Sequence, residues 1–131
     1  MVVAIYTRVS TLDQAEEGYS LSAQERVLRE WATAHGHTVY QVYTDAGISA
    51  KDMIHRPGLQ RLFGDAAQHK FDLVLCWALS RFTRSIIDLY RSLDFLDKHG
   101  IKIRSHTESI NTDNAWGRFT LGIIGLIAQL E

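Results

Sequence analysis

The sequence has few of the residues and runs that mark disulfide-linked, secreted or membrane proteins. Its 131 residues include a single cysteine, Cys76, which excludes an internal disulfide. Because Cys76 lies in the apolar run FDLVLCWAL, it is expected to be a small buried residue, and a reducing, cytoplasmic setting is expected with it. The N-terminus has no basic segment followed by an apolar signal core. The longest apolar run, residues 119–130, is too short to span a bilayer, so no membrane association is predicted.

The chain also lacks a strong charge of either sign. Its formal net charge is −1 and charged residues make up 22% of it, so any anion-binding site must be local. Ten of the fourteen basic residues are arginine, whose planar fork can give a phosphate two parallel hydrogen bonds. Hydrophobic residues make up 46%, which is enough for one compact domain with a core.

Several familiar motifs for catalysis and metal binding are missing. There is no glycine-rich phosphate loop of the Walker or dinucleotide type. Six histidines are present, but the HGH at 35–37 is interpreted as a helix-to-strand turn, and no nearby cysteine or carboxylate set completes a zinc pattern. An acid/base dyad or a metal-assisted hydrolase therefore has little support.

Segments with the pattern of strands alternate along the chain with segments that have the pattern of helices. The predicted strands are residues 2–9, 37–46, 71–79 and 101–109, and the predicted helices are residues 21–35, 57–69, 85–99 and 115–131. This order predicts an α/β fold with a mostly parallel central sheet and helices on both faces. In such folds the active site lies beyond the carboxyl ends of the strands. That rule directs attention to Ser10, Asp45, residues 80–84 and Glu108.

Two predicted helices carry the spacing of a capping box at their start. An acidic residue lies three positions after a serine in each case, Glu25 after Ser22 and Asp88 after Ser85. The second pair predicts that a helix begins near Ser85. For the helix over 57–69, proline falls in the first turn, where it is well tolerated.

The stretch IYTRVST carries polar side chains on what should be a core strand. Because side chains alternate across a strand, Tyr6, Arg8 and Ser10 share one face. A rise of about 3.3 Å per residue separates Arg8 and Ser10 by roughly 7 Å along the strand. The residues alone leave two interpretations open, a functional row at the end of the strand or an edge strand with one solvated face.

A second cluster, SRFTRSIID, places Arg81 and Arg84 just before a predicted helix N-terminus. Cations are disfavoured there, because the helix dipole is positive at that end. Two arginines in this position make sense if they share an anion with the free N–H groups of the helix. The alternative is a surface loop with two solvated arginines.

A third cluster is the loop DAGISAKDMIHRPGL, in which Asp45 ends a strand and Lys51 and Arg56 follow. Such a loop is more often simply solvated. Together the three clusters offer a serine, several arginines and no evident histidine base. That set suits phosphoryl transfer, where positioning and charge neutralisation carry most of the catalysis. Arginines beside the serine would favour its alkoxide and offset charge on a pentavalent phosphate.

These motifs, in this order, resemble the catalytic domain of serine recombinases, the resolvase/invertase family, and above all its large serine integrase and transposase branch. The resemblance covers essentially the whole chain. It rests on YTRVSTLDQ at 6–14, GYSLSAQ at 18–24, YTDAGIS at 43–49, RPGLQRL at 56–62, FDLVLCWALSRFTRS at 71–85 and ESINTDNAWGRFTLGIIGLIAQLE at 108–131.

The resemblance implies site-specific recombination of double-stranded DNA. Ser10 would attack a phosphodiester, form a 5′-phosphoserine link and free a 3′-hydroxyl, and strand exchange and religation would follow without metal, ATP or other cofactor. The residues that match the family's phosphate-binding arginines are Arg8, Arg56, Arg81 and Arg84. Those that match its supporting residues are Tyr6, Gln14, Gln24, Asp45 and Glu131.

One position departs from the family pattern. Ser80 stands where the family usually has an aspartate, a candidate acid for the leaving 3′-oxygen. This opens an alternative function, a non-catalytic DNA-assembly or regulatory module of the same fold. A small α/β phosphoester hydrolase is a third hypothesis.

The last predicted helix, from about residue 115, has apolar residues on nearly all of its surface, and such a helix is normally buried. The family pairs this helix between subunits, so the resemblance implies a homodimer, and a tetramer when two DNA sites are brought together. Residues 1–131 are accordingly expected to be an N-terminal catalytic domain whose last helix is truncated and whose DNA-binding domains lie outside this sequence.

Overall fold

The computed structural model describes residues 1–9, 20–46, 56–78 and 86–107. These residues form the predicted α/β architecture, with strands and helices alternating along the chain. The strands are β1 (Val2–Val9), β2 (Thr38–Ala46), β3 (Leu73–Cys76) and β4 (Lys102–Ser105). The helices are α1 (Leu21–Ala34), α2 (Pro57–Ala67) and α3 (Ile86–Lys98). The predicted helix over 115–131 lies outside the described residues.

The four strands form one parallel sheet in the order β2-β1-β3-β4. The chain runs from β1 outward to β2 and then crosses back to β3 on the other side of β1. This reversal creates a topological switch point between β1 and β3, where doubly wound sheets open a crevice at the carboxyl ends. Arg8 lies opposite Asp45 of β2, and Tyr6 is flanked by Tyr43 and Cys76.

Both faces of the sheet are buried. On one face Ala4 and Tyr6 belong to a core that includes leucines of α2 and α3. On the other face Val3 and Ile5 pack with residues of α1. The interpretation of β1 as an edge strand with one solvated face is therefore wrong, because strands pair with β1 on both sides and helices cover it from both directions.

Helix α1 begins earlier than its predicted capping box. Ser20, not Ser22, is the N-cap, and its hydroxyl accepts a hydrogen bond from the Ala23 N–H at 3.2 Å. The Glu25 carboxylate instead accepts a hydrogen bond at 2.9 Å from Nε of Arg29, one turn further along the helix. The predicted capping box was wrong because two serines precede the same apolar pattern, and local spacing does not say which of them leaves the helical conformation.

The other predicted boundaries agree with the structure to within two residues, except that β3 and β4 have four residues each where nine were predicted. Gly36, in the predicted turn between α1 and β2, has φ +73°. Pro57 is the first residue of α2, where its missing N–H costs nothing. Asp88 lies in the first turn of α3 and Lys98 in its last, a distribution that suits the helix dipole, whereas Ser85 lies outside the described residues. Cys76 is buried, as predicted. Within the described part of the chain, no helix combines the length and apolar character that crossing a membrane requires.

Candidate active site

Five of the eleven predicted site residues can be located in the structure, and all five are buried. Tyr6 and Arg8 lie on β1, Gln24 on α1, Asp45 near the end of β2, and Arg56 directly before α2. The sheet brings them to one region because the parallel strands end at the same edge. Six further predicted residues lie outside the described part of the chain, namely Ser10, Gln14, Ser80, Arg81, Arg84 and Glu131.

Tyr6 joins the two neighbouring elements of the site by its hydroxyl. The Tyr6 O–H donates to Asp45 Oδ2 at 2.8 Å, from the central strand to the adjacent one. Burial raises the pKa of the Tyr6 phenol above its usual value, although the nearby Arg56 charge opposes this. The phenol therefore keeps its proton, and that proton is directed to the Asp45 carboxylate.

Arg56 donates to the same hydroxyl from the other side. Its Nε lies 3.1 Å and its Nη2 lies 2.7 Å from the Tyr6 oxygen, and its Cζ is 5.3 Å from the centre of the Tyr6 ring. Because the hydroxyl proton of Tyr6 is donated to Asp45, the lone pairs of the phenol oxygen can accept hydrogen bonds from Arg56. A directed chain of hydrogen bonds results, which runs from Arg56 through Tyr6 to the Asp45 carboxylate.

The Asp45 carboxylate also accepts two hydrogen bonds from the start of α2. Gly58 N–H donates to Oδ1 at 2.8 Å and Leu59 N–H donates to Oδ2 at 3.0 Å. The carboxylate thus caps a helix that begins twelve residues later, and its charge suits the positive end of the helix dipole. Arg56, which precedes the helix, has only donor groups in its side chain and cannot provide this cap.

Gln24 ties α1 to the end of β1. Its Nε2 donates to the Arg8 carbonyl at 3.4 Å, and the side chain is fully buried. Arg8 is the next even-numbered residue of the strand after Tyr6. Among the described residues, no three His, Cys, Asp or Glu side chains group together as a metal site would require.

Burial limits what Arg8 and Arg56, the two predicted site arginines that the structure describes, can contact. Arg56 is 0% exposed and Arg8 is 1% exposed. A buried guanidinium needs partners for its donors, and Arg56 has the Tyr6 oxygen as one of them. In this conformation neither side chain offers a surface to a ligand, so a phosphate could contact them only after the residues that cover them move.

The chain matches the model of the resolvase N-terminal domain over residues 3–131. It belongs to the resolvase family. Its fold is also that of the N-terminal catalytic domain of TP901-1 integrase, with a TM-score of 0.92, 42% identity and coverage of 99% of this chain and 96% of that one. This likeness agrees with the resemblance to the serine integrase branch.

Curated relatives of this resolvase-family chain include DNA invertases. It is 31% identical to DNA-invertase Hin of Salmonella typhimurium over 96% of its own length and 58% of Hin. It is 33% identical to a probable DNA-invertase, y4cG, of Sinorhizobium fredii, over 96% of its own length and 36% of that protein. The chain thus spans between about a third and three fifths of these two invertases.

Sequence reasoning missed one residue of the site in this resolvase-family domain. A Cβ on Gly58 would lie 2.7 Å from the Thr44 carbonyl oxygen and 3.0 Å from Asp45 Oδ1. Only glycine therefore allows the first turn of α2 to approach β2 so closely. The RPG tripeptide at 56–58 was the available signal, but it was interpreted as a helix start and as part of a family motif, with no role for the glycine.

Proposed function

We propose that this resolvase-family domain cuts and rejoins DNA strands in site-specific recombination, with Ser10 as the nucleophile. The supporting observation is that β1 and β3 are adjacent parallel strands whose carboxyl ends form the switch point of the sheet. The chain continues from the end of β1 directly to Ser10, and from β3 toward Arg81 and Arg84. Clefts at such switch points are where doubly wound folds bind their ligands.

The proposed reaction is a reversible transesterification. The Ser10 oxygen attacks the phosphorus, a 5′-phosphoserine bond forms, and the bond to the 3′-oxygen breaks. Ser10 loses its proton and the leaving 3′-oxygen gains one. Religation reverses the step when a 3′-hydroxyl attacks the phosphoserine. One ester replaces another at each stage, so the reaction requires no nucleotide hydrolysis.

The arginines have the role of stabilising charge. Arg81 and Arg84 are proposed to bind the phosphate oxygens, together with Arg8 and Arg56 once the site opens. Since Arg8 and Arg56 are buried, DNA binding would have to rearrange the residues around them. Gln14 and Glu131 are proposed as supporting residues.

Ser80 can accept or donate a hydrogen bond but is a much weaker acid than aspartate, so we expect Ser80→Asp to speed departure of the 3′-oxygen.

The domain is proposed to work as part of a longer protein in the cytoplasm. The relatives extend well beyond the matched region, which agrees with residues 1–131 being a catalytic domain joined to DNA-binding domains. Double-stranded recombination sites are the proposed partner. Copies are proposed to pair through the helix from about residue 115, as dimers on single sites and as tetramers when two sites meet.

Trapping the covalent intermediate tests this function. The full-length protein is incubated with its recombination site, and denaturing gels are used to separate protein-linked DNA from free DNA. We expect Ser10→Ala to remove the adduct completely, because the Ser10 hydroxyl is the single nucleophile of the proposed reaction. Ser22→Ala, a change at an exposed serine of α1, is the control and should leave the adduct level unchanged.

Two outcomes would overturn the assignment. An adduct that survives Ser10→Ala would show that another residue is the nucleophile. A wild-type protein that binds and pairs its sites without any adduct would instead favour the assembly or regulatory module that Ser80 raises as the alternative.

A further inference from the structure

We propose that Gly58 is a positioning residue for Arg56. Because Gly58 has no side chain, the start of α2 can approach β2 closely enough for its N–H groups to bind the Asp45 carboxylate, and this contact fixes the position of Arg56. This inference rests on the proposed function for its effect on catalysis, but its structural part stands independently. The first turn of α2 lies so close to the end of β2 that a Cβ on Gly58 would be 2.7 Å from the Thr44 oxygen and 3.0 Å from the Thr44 carbonyl carbon.

The atoms that a Cβ would strike cannot yield easily. Thr44 belongs to β2 and lies opposite Thr7 of β1, in the part of the pairing that follows the register shift between Val3 and Ala4. The obstacle is backbone rather than the end of a flexible side chain, so the start of α2 would have to move away. Gly58 itself lies within a helix, where glycine is normally less stable than alanine by about 1 kcal/mol. Glycine at this position is therefore explained by the close approach.

The close approach places two N–H groups on one carboxylate. Gly58 and Leu59 donate to the two oxygens of Asp45, at 2.8 and 3.0 Å, and Tyr6 adds a third bond at 2.8 Å. Three donors fix the carboxylate in position and orientation. The fixed carboxylate in turn determines the direction of the Tyr6 O–H bond. That direction decides which lone pairs of the Tyr6 oxygen face Arg56.

A shift of the helix start would act on Arg56 twice. Arg56 lies two residues before Gly58, and its carbonyl accepts the Gln60 N–H at 3.0 Å, so its backbone moves with the first turn. Its hydrogen bond to Tyr6 would also lose its fixed geometry, because the Asp45 carboxylate, without the Gly58 and Leu59 donors, is no longer held toward the Tyr6 hydroxyl. Misplacement by about 1 Å in a catalytic site can cost on the order of a hundred-fold in rate.

Gly64 offers a matched control on the same helix. A Cβ there would meet no described atom within 4 Å, and the residue is exposed. The experiment compares Gly58→Ala, Gly64→Ala and wild type in the full-length protein. One measurement is the rate of covalent adduct formation on the recombination site. The other is hydrogen exchange at Arg56 Nε–H, assigned by NMR in protein without DNA.

We expect Gly58→Ala to lower the adduct rate by about a hundred-fold. We also expect its Arg56 Nε–H to exchange at least ten-fold faster, while binding to the DNA site is retained. Gly64→Ala should match wild type in both measurements. A merely structural role would leave the Nε–H of the folded variant protected, so protection equal to that of wild type would overturn the proposal.

The two measurements separate this inference from the proposed function. If the wild type forms no adduct, the function fails but the exchange experiment still decides the positioning role. If Gly58→Ala does not fold, Asp45→Asn provides the second test. Asparagine keeps the shape of the aspartate side chain, but its NH2 group faces at least one of the three donors and cannot accept that hydrogen bond. Unchanged exchange at Arg56 in Asp45→Asn would contradict the proposal as well.

Discussion

Asp45→Ala should lower the free energy of unfolding by about 3 kcal/mol or more, because it leaves three hydrogen-bond donors without their acceptor. The carboxylate accepts from the Tyr6 hydroxyl and from the N–H groups of Gly58 and Leu59. Each buried donor left without a partner costs about 1–3 kcal/mol, and water entering the gap recovers part of that. Urea unfolding followed by circular dichroism measures the effect.

Asp94→Ala is the control for that experiment. Its carboxylate is 45% exposed and pairs with Lys98 at 3.0 Å on the surface of α3. An exposed pair of this spacing contributes about 0.5 kcal/mol or less. Equal losses of stability in the two aspartate variants would show that the hydrogen bonds of Asp45 do not stabilise the fold as described.

Arg56→Lys should reduce the rate of adduct formation by about a hundred-fold, although the charge is kept. The Arg56 fork donates from both Nε and Nη2 to one phenol oxygen, which a single ammonium on a flexible stem cannot reproduce. A buried lysine also loses hydration that is more favourable than that of a guanidinium. Single-turnover assays on the recombination site, with the full-length protein, measure this rate.

The matched change is Arg61→Lys, one turn further along α2, where the side chain is exposed. It should leave the rate within about two-fold of wild type, as expected of a surface substitution. A lysine at 56 that works as well as arginine would reduce the role of this residue to its charge alone.

The fold was predictable to the extent that local patterns determine it. β1 has the predicted bounds, Val2–Val9, because most of its residues are of the β-branched and aromatic types that favour strands. The parallel sheet followed from the alternation of strands and helices. The burial of Arg8 was not predictable, because a charged residue near the end of a strand is usually solvated, and only the helices and strands packed around it decide otherwise.

The polar chain at the site depends on contacts that are distant in sequence. Tyr6 and Asp45 are 39 residues apart, and Tyr6 and Arg56 are 50 apart. The role of Gly58 depends on the position of one carbonyl oxygen of β2, which no local spacing reveals. Residue type suggested which side chains were polar and important, whereas their partners required the three-dimensional arrangement.

Identifying the residue that carries the DNA tests the central claim most directly. The covalent complex of the wild-type full-length protein is digested with nuclease and trypsin, and the modified peptide is sequenced by mass spectrometry. Trypsin should release residues 9–26, which contain Ser10, Thr11, Ser20 and Ser22. We predict a nucleotide 5′-phosphate on Ser10 alone. Attachment to any other residue, or cleavage of the site with no residue modified, would contradict the account.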